Sequence, residues 1–260
     1  MAIALPRTRR RDAAVYALQM WAFIVIHELP YDNAAALERR VHVDYPIACD
    51  RVLGLGVPLN ARLQRLLARE APRALDHVLV WVHWLWFFEP HAACAWILWR
   101  HPKRFTRAAV LVSSLFHLGA VVYVLVPTAP PWWAAEEGKL RGCRRLMTEV
   151  GEKFWGDLWV PLYDFLGGNP VAAMPSLHFS SSVMAAHVLS EVGSVEGGIG
   201  WAYAGVLGFA LVYLGEHYVI DLLAGLALAE AVRWLAPHGA AVLKSVSRVV
   251  QALEAPARAA

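Results

Sequence analysis

Long apolar runs alternate with short polar and basic connectors along most of this chain. A run of roughly 20 apolar residues is enough to cross a bilayer, and fewer suffice where neighbours thin it. On that measure the pattern predicts six membrane helices, over Ala13–Ile26, Ala74–Trp99, Ala108–Val126, Ser176–Val192, Ile199–Leu214 and Tyr218–Leu235. The second run contains Glu89-Pro90. A proline there lacks an N–H and crowds the preceding turn, so the run should kink or break into two half-helices. The third run stops at Pro127-Thr128-Ala129-Pro130-Pro131, and Gly193 to Gly198 forms a turn. Between the first two runs, Val52–Leu67 carries apolar residues at helical spacing among arginines. That pattern predicts an amphipathic helix lying on the membrane surface. Residues 132–168 form a long loop with Trp132, Trp133, Trp155 and Trp159, suited to the headgroup level. Loops of this length are usually functional or disordered. After Pro237 the tail is weakly amphipathic and basic.

Composition supports the membrane reading. Hydrophobic residues make up 58% and charged residues 17% of the 260, and mean hydropathy is +0.42. Soluble domains carry about 25% charged residues. The length fits a single domain, residues 1–260. A net charge of +3 is too small to argue for nucleic acid. Cys49, Cys94 and Cys143 form no C-x-x-C pair, which argues against a zinc site of ordinary spacing. Arg7 to Arg11 followed by an apolar run resembles a signal peptide. No small-residue cleavage site follows, so a retained first helix is expected.

Charge placement predicts orientation. With both termini cytoplasmic, Arg7–Arg11, Arg100–Arg107 and the Lys244/Arg248 tail fall inside, as the positive-inside rule asks. The segment 30–73 is also basic and falls outside; long segments count less in that rule. Pro127–Pro131, His178 and His217 then share the outer face, at one depth. Cys49 and Cys143 lie on that side too, where a disulfide forms if they are close, whereas Cys94 is a buried free thiol.

Two stretches carry candidate chemistry. Pro175-Ser176 reads as a helix start. His178 then sits in the first turn, beside free N–H groups that attract phosphate. In Glu216-His217-Tyr218-Val219-Ile220-Asp221, His217 and Asp221 are spaced to share a helix face. A carboxylate accepting from imidazole Nδ1–H fixes the tautomer and leaves Nε2 as a nucleophile. The plain alternative is a pair of satisfied polar groups tying helices together. His83, His91 and His117 are read as helix–helix hydrogen-bonding groups. His187, roughly two and a half turns below His178, is read as packing, and Gly215 and Gly225 as points of close approach.

Together these stretches resemble the second and third signature motifs of the type 2 phosphatidic acid phosphatase superfamily. Its Pro-Ser-Gly-His is Pro175-Ser176-Leu177-His178 here. Its Ser-Arg, five residues, His, three residues, Asp is matched by His217 and Asp221, with Ala210 and Leu211 in place of Ser and Arg. The first motif, Lys, six residues, Arg-Pro, is not recognisable. Pro127–Pro131 with Asn169–His178 instead resembles the inositol phosphorylceramide synthase branch, with Trp132 where that branch tends to carry Arg.

The resemblance covers roughly residues 75–235. It implies an all-α integral membrane six-helix bundle, His217 as phosphorylated nucleophile, Asp221 as its orienter and His178 as general acid. Asn169 and Ser176 are read as substrate-binding. The implied activity is a lipid phosphotransferase or phosphatase working through phosphohistidine, leaning towards transfer of a phospho-head group to an alcohol or polyol. The runner-up is a phosphohydrolase of the phosphatidate or polyprenyl phosphate type. Neither cofactor nor metal is required when histidine attacks and fixed positive groups meet the charge. A transporter or scaffold with structural histidines, and a metal site built from the same three side chains, are the rivals. The missing motif arginine demands another cation, for which Lys139, Arg141, Arg144 and Arg145 are the candidates.

Overall fold

The structure, a computed structural model, describes residues 8–28, 36–37, 39–159 and 169–259. Arg7 and Gly168, at the edges of two segments discussed above, lie outside them, as do residues 160–168 of the long loop. The described residues are all-α, with isolated β-bridges and no strand. In chain order the helices are α1 Arg9–Glu28, α2 Asp44–Leu53, α3 Leu59–Leu67, α4 Ala74–Leu85, α5 Glu89–Arg100 and α6 Pro102–Leu125. They continue with α7 Pro131–Glu136, α8 Leu146–Trp155, α9 Leu177–Ser190, α10 Ser194–Tyr213 and α11 Val219–Ala259.

Helix α9 is the axis of the fold. It packs against α5, α6, α10 and α11. A helix apolar or small on all sides belongs inside, and α9 buries Leu177, Ser180 to Ala186 and Val188. Helix α4 covers α10 from the other side, and α2 packs on α11. One core cluster gathers Phe105, Leu111, Leu115, Phe116, Val183 and Met184 where α6 meets α9.

Several sequence expectations change. Among the described residues two helices, α6 and α10, are long and apolar enough to cross a membrane, so a bundle of six such helices is not shown. The second run is two 12-residue helices, α4 and α5, broken as Glu89-Pro90 required. Helix α9 has only 14 residues. In the opposite sense, α11 continues 41 residues, through Pro237, so the tail is helical. The amphipathic helix over Val52–Leu67 is two helices, because Leu55 (φ 53°) and Gly56 (φ 95°) turn the chain before Pro58. Part of its polar side also turns inward. Asn60 and Gln64 are buried, and Gln64 bonds the backbone of Arg144 and Tyr213. The described part of the long loop forms α7, α8 and a 3-10 turn, Gly156–Leu158. Cys49 and Cys143 are free thiols, not a disulfide. Burial pushes the Cys143 thiol up to about 12, so it stays protonated.

Candidate active site

Local sequence explains how the two motif histidines are held. Helix α10 ends in a left-handed turn at Gly215 (φ 85°). Gly215 N–H donates to the Val212 carbonyl and Glu216 N–H to that of Leu211, the pattern that caps a helix with glycine. His217 therefore emerges from a stopped helix and enters the start of α11. Asp221 occupies the third position of α11 and accepts from the N–H of Tyr218 at 2.8 Å, as a carboxylate does in a capping box. Below this, buried Asp50 accepts from the N–H groups of Val219 (2.8 Å), Ile220 (3.3 Å) and Leu59 (3.1 Å). Burial raises the Asp50 carboxyl above the ordinary range, and these donors pull it back.

The α9 side is held as firmly. Ser176 caps α9, its hydroxyl accepting from Phe179 N–H. Tyr123 donates to the Pro175 carbonyl at 2.7 Å and accepts from Leu177 N–H at 3.2 Å. Ser176 N–H donates to the Asp221 carbonyl at 3.0 Å, joining the two helix starts. Gly225 makes that junction possible: a Cβ there would lie 2.7 Å from the Ser176 carbonyl oxygen.

The result brings the rings together. His178 Nδ1 lies 3.2 Å from His217 Nε2, and His217 Nδ1 lies 3.4 Å from Asp221 Oδ2. Asp221 is fully buried and His217 nearly so. With Nδ1–H of His217 facing the carboxylate, its Nε2 carries the lone pair, and His178 Nδ1–H donates to it. The pairing spans a helix entry and not a helix face, because His217 precedes α11.

Of the basic candidates, Arg145 reaches the cluster. Its guanidinium lies 3.7 Å from the centre of the Trp132 ring and 3.3 Å from buried Glu216 Oε1. Arg144 turns outward to Glu149, and Lys139 and Arg141 are exposed. The helix-end amides expected to hold phosphate are engaged within the protein at Ser176, Leu177 and Phe179. Asn169 is buried, and its side-chain oxygen accepts from Val171 N–H. The Pro127–Pro131 turn lies beside that segment, with Thr128 N–H on the Val171 carbonyl and Ala173 N–H on that of Thr128. Trp132 N–H in turn donates to the Gly215 carbonyl, so three distant stretches meet here.

Sequence reasoning left two neighbours out. Asp50 gave no signal, being one acidic residue in a mixed segment. His83, read only as an interhelical hydrogen-bonding group, packs its ring 4.8 Å from that of His178. Among the described residues no group of three His, Cys, Asp or Glu side chains is arranged to hold a metal ion.

The sequence profile of the PAP2 superfamily matches residues 47–235. This chain belongs to the PAP2 superfamily. PAP2 superfamily members are phosphatases and phosphotransferases, and they act on phosphorylated lipids. The PAP2 match begins at α2, so it takes in Asp50 and the α2–α3 cover as well as both histidine stretches. No curated protein and no solved structure matches the chain.

Proposed function

We propose that this protein is a multi-pass membrane enzyme that moves a phosphoryl or phospho-head group from a lipid through a phosphohistidine on His217. The observation that carries this reading is the contact of His178 Nδ1 with His217 Nε2, backed by Asp221 behind His217.

A phosphate entering between the two rings meets both reacting groups. His217 Nε2 attacks phosphorus, and the bond from phosphorus to the lipid oxygen breaks. His178, as imidazolium, gives its Nδ1 proton to that oxygen. Asp221 stabilises the charge on His217. In the second half His178 takes a proton from the acceptor, whose oxygen attacks phosphorus and releases His217. Arg145, held between Trp132 and Glu216, supplies the cation that Leu211 cannot.

The likeness of Pro127–Pro131 and Asn169–His178 to the inositol phosphorylceramide synthase branch favours an alcohol acceptor over water. Burial of His217 and Asp221 supports the same choice, since bulk water does not reach them freely. Exposed apolar side chains on α1, α6 and α10, including Trp21, Leu118, Val121, Ile199 and Phe209, suit contact with lipid. We place both termini on the cytoplasmic side and the histidines towards the outer face.

The test is incubation with labelled lipid phosphates, with and without polyol acceptors, followed by product identification. Transfer predicts a labelled acceptor product and a bell-shaped rate between about pH 5 and 8, since one histidine must be neutral and the other charged. Release of inorganic phosphate alone gives the phosphohydrolase reading. Absence of turnover on every lipid phosphate overturns the enzyme.

A further inference from the structure

The cation assigned to the phosphate already has an anion against it. Arg145 Nε–H donates to Glu216 Oε1 at 3.3 Å, and the guanidinium lies 3.7 Å from the centre of the Trp132 ring. Glu216 is 8% exposed and stands directly before His217. The N–H groups of Glu216 and His217 both donate to the Leu211 carbonyl, at 3.0 and 3.1 Å, so one turn of backbone carries the carboxylate and the histidine. Arg145 is brought to that turn by its neighbours: Leu146 N–H donates to the Leu214 carbonyl at 3.0 Å and Trp132 N–H to that of Gly215 at 3.1 Å. These anchors fix the backbone and leave the ion pair to the side chains. At 3.3 Å the contact is longer than the about 2.7–2.9 Å of a strong charge-assisted bond, so a phosphate can take the carboxylate's place.

Two carboxylates therefore adjoin His217: Glu216 before it in the chain and Asp221 against its Nδ1. An incoming phosphate meets them together with Arg145. When its charge goes from one to two, attraction to the guanidinium and repulsion from the carboxylates both double. The Born cost of leaving water rises about fourfold, with the square of the charge. Attraction offset by Glu216 does not make up that difference, so the singly charged phosphate is favoured. A phosphomonoester is a dianion above its second pKa of about 6; a phosphodiester has no second proton to lose and stays a monoanion.

We propose that Glu216 is a specificity-determining residue that sets the site to phosphodiester lipids and against phosphomonoesters. In the free protein its carboxylate holds the place on Arg145 that the phosphodiester takes. The group that leaves the lipid is then a phosphate still esterified to its head group. The role in transfer rests on the phosphohistidine reading above; the preference in binding does not.

The experiment uses the full chain in neutral detergent at about pH 8, where a phosphomonoester carries two charges. The probes have the same short tails: dihexanoyl phosphatidylglycerol, a phosphodiester, and dihexanoyl phosphatidate, a phosphomonoester. Binding is read by isothermal titration calorimetry, and turnover separately by product identification. The wild-type protein is expected to bind the phosphodiester at least about fivefold more tightly. Glu216→Gln keeps the shape and removes the charge. It should strengthen phosphodiester binding about threefold and, because the repulsion removed scales with ligand charge, phosphatidate binding about tenfold. Glu216→Asp keeps the charge and should keep the wild-type preference. Wild-type binding of phosphatidate as tightly as the phosphodiester, or of neither probe, overturns the proposal without any variant. So does an equal gain for both probes in Glu216→Gln, which makes the carboxylate a general barrier to anions. A loss for both probes, or a Glu216→Gln chain that does not fold, makes it a brace for Arg145 and also overturns the proposal. If the preference follows the charge at Glu216 but neither lipid is turned over, the enzyme reading falls and the charge selection stands.

Discussion

Helix α9 carries a histidine near each end, and the two have similar company. His178 at the start meets His217, which is backed by Asp221 and follows Glu216, the partner of Arg145; His187 near the end meets Glu230 and Arg233. The residue types match, but the environments do not. Around His217 the side chains are 5% and 0% exposed, for the histidine and its carboxylate. At the other end His187 is 17% and Glu230 48% exposed. His187 Nε2 also faces Glu230 Oε1 at 2.6 Å and Arg233 Nη1 at 3.1 Å, so the same nitrogen is held by both neighbours. His217 uses one nitrogen for its carboxylate and presents the other to His178. A histidine, an acid and an arginine therefore make a surface network at one end and a buried nitrogen facing a second histidine at the other. Burial, and backbone donors that brace the acid, decide between them.

The largest effect should come from removing that nitrogen. His217→Ala is expected to lower lipid phosphate turnover roughly ten-thousandfold or more and to abolish a trapped phosphoenzyme. Near wild-type turnover would place the nucleophile elsewhere. The next contrast lies between adjacent arginines. Arg145→Ala should cost about a hundredfold in kcat, as loss of a fixed transition-state cation does. Arg144→Ala, paired with Glu149 in solvent, should cost less than about threefold. Equal losses at both positions would mean nonspecific attraction of anionic head groups. The smallest effect tests the far end: His187→Ala should leave turnover within about twofold and stability within about 1 kcal/mol, read by thermal unfolding in detergent. A large catalytic loss there would erase the distinction between the two ends.

How much could be read in advance follows the range of each interaction. Features fixed within a few residues were legible: the cap at Ser176, the break at Glu89-Pro90, and the pairing of His217 with Asp221. Those depending on tertiary placement were not. Asp50 reaches α11 across 169 residues of chain, and nothing beside it in sequence marks it as a cap. His83 looks like any single polar residue in an apolar helix until α4 is laid against α9. The limits of α9 and α11 also misled, because apolar length predicts a crossing and not where a helix stops. Among the four basic residues, sequence offered no choice; only the stacking on Trp132 and the pairing with Glu216 set Arg145 apart from the other three.

The hydrogen bond from Ser176 N–H to the Asp221 carbonyl joins two helix starts, with Gly225 pressed against the joint. The joined helix starts and the stretch that carries Arg145 are therefore separate pieces of chain. The facing nitrogens of His178 and His217 sit on this joined frame. Arg145 arrives on another stretch of chain, between α7 and α8, attached to that frame through Trp132, Glu216 and the Leu146–Leu214 backbone contact. An engineer seeking a new head group would keep the frame, Trp132 and Arg145 intact and vary the rest of the stretch from Pro131 to Trp155, as one changes the jaw of a tool without recutting its hinge.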